Sequence, residues 1–264
     1  MVRLVAIDLD NTLLRSDLSI SPTNRNALER AREAGAVVAI ATGRMFQTAR
    51  LIVSGLGADM PIAAYNGALI RMRDSGDTLC IRPIDPQDGE PVVRFLWDFG
   101  VAFQVYFDDK LYVPRPTLAS DYYGSKYGAL VHVMGDIEEF ASRPSLKYLI
   151  IEDPGRIDSV RRALEGVIGP NLRTMRSQPE LLEIVDSRVS KGRALCHLAR
   201  HFGIDIAHTM AIGDSENDID MLREAAIGVA VSGAGRDVQA AADYVVASND
   251  DDGVAEAIHM FVSR

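Results

Sequence analysis

The chain has 264 residues, 47% hydrophobic and 25% charged, which is enough to bury a sizeable core and excludes disorder as the leading expectation. A formal net charge of −9 argues against a broad electrostatic grip on nucleic acid or anionic lipid, so any phosphate group must be held locally. No apolar run approaches a membrane span or a signal-peptide core, and two cysteines, Cys80 and Cys196, suit free structural thiols in a reducing cytoplasm better than a disulfide framework.

Residues 3 to 7 (RLVAI) read as a buried parallel strand that breaks into DLDNT at a polar edge. A helix follows, with Ser21 as its cap, Pro22 in its first turn and Gly35 closing it before a second apolar run, AVVAIAT. The segment from about Pro83 to Asp186 differs in texture: its strands are short, alternating or aromatic, and Asp108, Asp109 and Lys110 are placed to turn a hairpin in VAFQVYFDDKLYV. Phe103, Tyr106, Phe107 and Tyr112 stand there at strand spacing and read as core. Strand and helix alternation then resumes with a helix from about Lys191, the strand HTMAIGD, a short helix after Glu216, the strand IGVAV and a helix ending at Phe261. The pattern predicts an α/β fold, a Rossmann-like doubly wound parallel sheet with an inserted α+β module. Pro83, Pro86 and Pro91 mark the module's start and Asp186–Ser190 its end, which divides the chain into a core of 1–83 plus 187–264 and an insert of 84–186.

Asp8 and Asp10 fall at the end of the first strand, where open α/β sheets bind ligands, and strand periodicity sends both to one side. Exposed strand edges also tolerate acids with no function. In ATGR, Thr42 closes the second strand, Gly43 permits close backbone approach and the following helix offers free amides, a phosphate cradle or simply a capped turn. Asp214, Asn217 and Asp218 in GDSENDIDML gather hard oxygen ligands after another buried strand, a set that suits magnesium, although a solvated helix start also collects acids. Lys191 in VSKGRAL begins a helix, where its charge opposes the dipole. His197 and His201 lack the acid of a zinc-protease helix between them, and Gly233 to Gly235 lack the rest of a dinucleotide fingerprint.

Taken in order, DLDNTLL, ATGR, VSKG and GDSENDIDML resemble the four motifs of the haloacid dehalogenase superfamily. The long insert, the NGA at Asn66–Ala68 and the ending ADYVVASNDDDGVAEAI look like its Cof-type phosphatase branch with a C2-type cap. Asn11, where the branch more often has glycine, and VSGAG after Val231, which lacks the usual asparagine, depart from the pattern. The resemblance implies Asp8 as nucleophile and metal ligand and Asp10 as general acid and base, with Asp10 also binding the metal through its carbonyl. It further implies Thr42 and Lys191 as phosphate ligands, Asp214 as a magnesium ligand, Asn217 near the phosphate and Asp218 completing the metal site directly or through water. Position alone adds Gly43, Arg44 and Asn66 to the substrate-binding set and Tyr106, Asp108 and Arg115 as guesses at specificity.

The activity so implied is magnesium-dependent hydrolysis of a small phosphorylated metabolite, a sugar phosphate above all, through an aspartyl phosphate. A phosphomutase, which returns phosphate to its substrate, and a phospho-accepting signalling receiver are the alternatives. Receivers lack a long insert.

Overall fold

The computed structural model describes residues 1–262, apart from the side chains of Ala119, Tyr123, Lys126, Tyr127 and Ser177. In chain order the first elements are β1 (Leu4–Ile7), α1 (Pro22–Glu33), β2 (Val37–Ala41), α2 (Phe46–Ile52), β3 (Pro61–Ala64), β4 (Leu69–Met72) and β5 (Thr78–Ile81). The middle holds α3 (Pro86–Phe99), β6 (Ala102–Phe107), β7 (Lys110–Val113), α4 (Leu118–Tyr127), β8 (Val131–Val133), α5 (Ile137–Ala141), β9 (Lys147–Ile151), α6 (Pro154–Leu164), β10 (Leu172–Gln178) and β11 (Leu181–Asp186). The last part comprises α7 (Lys191–His201), β12 (Thr209–Gly213), α8 (Ile219–Glu224), β13 (Ile227–Val231), α9 (Arg236–Ala241), β14 (Tyr244–Val246) and α10 (Gly253–Phe261). Contacts group the chain into two units: Met1–Arg44, Ala49–Cys80 and Ser190 onward form the first, and Met45–Thr48 with Ile81–Val189 the second.

β1 forms because four successive apolar residues, all buried, suit a strand covered on both faces. The first sheet has the order β14-β13-β12-β1-β2-β3-β4-β5, with β1 between β12 and β2. Leu4 and Ala6 share a cluster with Leu195 and Leu198 of α7, Met221 and Leu222 of α8 and Val238 of α9, while α1 and α10 pack together against other strands of the sheet. The helix α1 starts as its sequence dictates, Ser21 accepting from Asn24 N, and Gly35 beyond it adopts a positive φ.

The expectation of a parallel sheet holds from β14 to β3 and fails at the next strand. β3 and β4 pair antiparallel, Ala64 opposite Leu69. Only Tyr65–Ala68 joins them, and a parallel return needs a crossover of a dozen or more residues.

The second unit has a six-stranded sheet of order β10-β11-β9-β6-β7-β8, antiparallel except where β7 meets β8. Phe103, Val105 and Phe107 of β6 pack with Ile150, Leu182 and Ile184 against Val92 and Leu96 of α3 and Ile157 and Val160 of α6. Tyr112 stacks on Phe107 with centroids 4.0 Å apart. The hairpin turns on Asp108 and Asp109, both at positive φ as a two-residue turn requires, and Lys110 belongs to β7 instead of the turn. Among the described residues no helix is long and apolar enough to cross a membrane.

Candidate active site

Four parallel strand ends meet at one edge of the first sheet. β12, β1, β2 and β3 run side by side, and the ladder continues past two of them, with Asp8 N donating to Ile212 O at 3.0 Å and Thr42 N to Ala63 O at 2.9 Å. The carboxyl edge of such a sheet is where ligands bind.

Past Asp8 the chain leaves extended geometry. Leu9–Leu13 forms a π-type turn closed by Leu13 N on Asp8 O and Leu14 N on Leu9 O. Strand periodicity is therefore not what orients Asp10, which lies within this turn. Its two oxygens take a bidentate fork from Arg44, Nε at 2.8 Å and Nη2 at 2.6 Å. Arg44 is 6% exposed, so the residue expected to meet substrate has its guanidinium committed to the second aspartate.

Lys191 opens α7 beneath the Ser190 cap, which accepts from Arg193 N. Its Nζ donates to Asp8 Oδ1 at 2.6 Å and to Asp218 Oδ1 at 2.7 Å. Asp8 Oδ2 has no hydrogen-bond partner among the described residues. Asp218 turns its other oxygen to the backbone N–H groups of Asp214, at 3.1 Å, and Ser215, at 3.0 Å. Asp214 accepts from the hydroxyls of Thr12 and Ser215, each at 2.8 Å. Thr12 and Ser215 were not singled out from sequence, although Thr12 lies within DLDNT and Ser215 within GDSEND, and a hydroxyl residue inside each acidic motif was the available signal.

Thr42 accepts the Arg44 N–H on its hydroxyl at 3.1 Å and the Asn66 N–H on its carbonyl at 2.9 Å. Asn66 Oδ1 in turn accepts from Asn217 Nδ2 at 2.9 Å. Gly43 is half-buried between Thr42 and Arg44. Every residue of the expected site thus lies in the first unit at this edge, whereas Tyr106, Asp108 and Arg115 belong to the second unit, Tyr106 buried and the other two exposed.

The electrostatics are unbalanced toward negative charge. Carboxylate oxygens of Asp8, Asp214 and Asp218 lie within 4.8 Å of one another, with one ammonium among them. Burial, with Asp218, Asp214 and Asp10 adding to it, holds the Asp8 carboxyl well above the usual range despite Lys191. Burial and Asp218 also raise Asp214, against the two hydroxyls and Lys191. Burial presses Lys191 toward neutrality, and the two facing carboxylates outweigh it, so its ammonium is held more firmly than an ordinary lysine. A compact, hard-oxygen donor set with surplus negative charge fits a magnesium-sized cation. Among the described residues, neither His197 nor His201 joins a group of three potential ligands.

Residues 5–258 match the model of the haloacid dehalogenase-like hydrolases. The chain belongs to that family. The hydrolase is 31% identical over 286 residues to a 5-amino-6-(5-phospho-D-ribitylamino)uracil phosphatase of Bacillus subtilis strain 168, with 99% of each chain covered. A superfamily phosphatase from Bacteroides thetaiotaomicron superposes with a TM-score of 0.87 at 26% identity, covering 100% of this chain and 96% of the other. A solved subclass IIB sugar phosphatase gives 0.85 at 26% identity, with 98% and 99% covered. The hydrolase is accordingly a phosphatase that acts by phosphoryl transfer, on the Rossmann-like fold of its family.

Proposed function

We propose that this hydrolase is a magnesium-dependent phosphatase of small phosphorylated metabolites, with Asp8 as its nucleophile. The observation that carries the reading is the ion-paired cluster in which Lys191 joins Asp8 to Asp218 beside Asp214. A carboxylate approaching a phosphate dianion meets like-charge repulsion, and Lys191 offsets part of it. Asp8 Oδ1 is engaged by that lysine, and Oδ2 is the oxygen that attacks phosphorus. The P–O bond to the leaving alcohol breaks as the Asp8–phosphorus bond forms.

Asp10, protonated before the attack, gives that proton to the leaving oxygen and, as the carboxylate so formed, takes one from the water that hydrolyses the aspartyl phosphate, which splits one hard step into two. The Arg44 fork occupies both oxygens as acceptors, so the carboxyl must come away from the fork to carry the proton. Thr42, the Gly43 backbone and Asn217, oriented by Asn66, are assigned to the phosphate oxygens. Asp8, the Asp10 carbonyl and Asp214 would hold magnesium, which supplies charge neutralisation at the phosphate. Asp218 already accepts three donors, so its part toward the cation is through water or through Lys191.

A sugar or polyol phosphate is the substrate class that the related proteins support, one named for a ribityl phosphate and one for a sugar phosphate. We assign the inserted segment, 84–186, to substrate selection, and the cytoplasm as the compartment that suits two free cysteines.

The test is release of inorganic phosphate from para-nitrophenyl phosphate and from a panel of sugar and polyol phosphates. Release with magnesium, its loss on chelation, and a folded but inactive Asp8→Asn variant are the expected results. Near-normal turnover by Asp8→Asn would overturn the assignment, and transfer of phosphate between substrate positions without its release would make the protein a mutase.

A further inference from the structure

The second unit contains a cavity of about 390 Å³, within the range of small-molecule sites. It lies between the end of α3, the start of β6 and the segment leading into α4, and its walls include Trp97, Val101, Phe103, Gln104, Arg115 and Ile151. Within the second unit the cavity borders the start of β6 at Ala102, which pairs with Ile151.

Its polar groups have unused capacity. Gln104 is 1% exposed, and its Oε1 accepts from the Tyr106 hydroxyl while Nε2 has no hydrogen-bond partner among the described residues. A sealed amide donor left unmatched is costly, and a ligand oxygen reached by modest adjustment would relieve it. Thr117 and Ser120 also line the space, but their hydroxyls already serve each other's backbone in the capping box of α4. Arg115 is exposed, and no described group pairs with it. Trp97 remains 39% exposed, a large aromatic surface lining the same space.

We propose that this cavity binds a small planar organic anion, an aromatic carboxylate or its like, with the ring against Trp97 and the charged oxygens toward Arg115 and Gln104. Apolar walls with one amide donor and one guanidinium select a flat body carrying an acceptor, and a guanidinium engages both oxygens of a carboxylate. A bare sugar phosphate would leave those walls without an apolar partner. The site neither uses nor depends on the reaction chemistry at the edge of the first sheet.

The experiment uses anilinonaphthalene sulfonate as the planar anion and the full chain as the receptor. Trp97 is the only tryptophan, so energy transfer from it reports dye bound near that residue, and the variants at Arg115 and Gln104 assign the dye to this cavity. The expected result is saturable, one-to-one transfer that inorganic phosphate with magnesium does not displace. Arg115→Ala and Gln104→Leu should each weaken binding roughly tenfold, the scale of one charge-assisted hydrogen bond. Arg115 is exposed, so its removal tests the site even if Gln104→Leu disturbs folding, and circular dichroism checks both. Absent transfer, equal affinity in well-folded variants, or displacement by phosphate would overturn the proposal.

Discussion

Lys191 stands in the first turn of α7, where the helix dipole disfavours a cation, and it is 1% exposed as well. Asp8 and Asp218 reverse both penalties at 2.6 and 2.7 Å, so an apparent misfit of sequence becomes the centre of the site. Lys191→Met leaves two buried carboxylates facing each other. It should lower stability by roughly 3–5 kcal/mol and turnover by about 10²–10³-fold, read by denaturant melts and phosphate release; an unchanged kcat would remove Lys191 from the chemistry. Asn11 answers a departure from the family pattern: its φ is 56°, in the left-handed region that glycine enters freely and asparagine tolerates best among other residues. Asp8 and Asp214 also make a pH prediction. Both carboxyls are raised in the fold, so without metal the stability they contribute is fully present below the ordinary value of 3.8 and is lost as pH rises through the raised values. Cations bind the ionised forms, so the increase in Tm on adding magnesium should be larger at neutral pH than in mild acid, and smaller in Asp8→Asn. A magnesium shift independent of pH would dissociate these groups from the metal.

At the scale of elements, the site depends on close approaches that no side chain permits. A Cβ on Gly213, the last residue of β12, would stand 2.5 Å from Asp218 Cγ, and one on Gly67 would stand 2.9 Å from Ser190 O with φ already at +100°. Glycine at the first position lets the acidic turn fold back so that Asp218 reaches Lys191. Glycine at the second lets the turn after β3 lie on the start of α7. Gly213→Ala should therefore push Asp218 off the lysine and reduce turnover by at least about tenfold while the far-UV spectrum holds. Wild-type rates in that variant would mean that Asp218 does not need its present position. The same economy of chain length made β4 antiparallel, since four residues after β3 leave a hairpin return as the available route.

For the whole molecule, the two contact units have separate apolar clusters, one built on Leu4, Leu195 and Met221 and the other on Phe103, Ile150 and Leu182. Separate cores are the physical basis for separate stability. Ile150→Ala empties volume in the second core only and should cost about 2–5 kcal/mol there. Hydrogen exchange should show lost protection in β6, β9 and β11 with amides of β1 and β12 little changed, whereas uniform loss would mark one cooperative body.

Elements whose cause is local were legible in the residues themselves. Unbroken apolar runs marked β1, β2, β12 and β13, because a strand buried on both faces needs no alternation, and Ser21, Pro22 and Gly35 bounded α1, because capping involves only the adjacent turn. The acidic, glycine and lysine motifs likewise named the chemistry of their side chains. What the chain pattern left undetermined was which atoms meet. Asp8 and Lys191 are 183 residues apart, Thr12 and Asp214 are 202 apart, and the Arg44 fork on Asp10 spans 34. Such pairings depend on the order of strands in the sheet and on backbone approaches of a few ångströms, quantities set when distant segments pack and absent from any local run of residues.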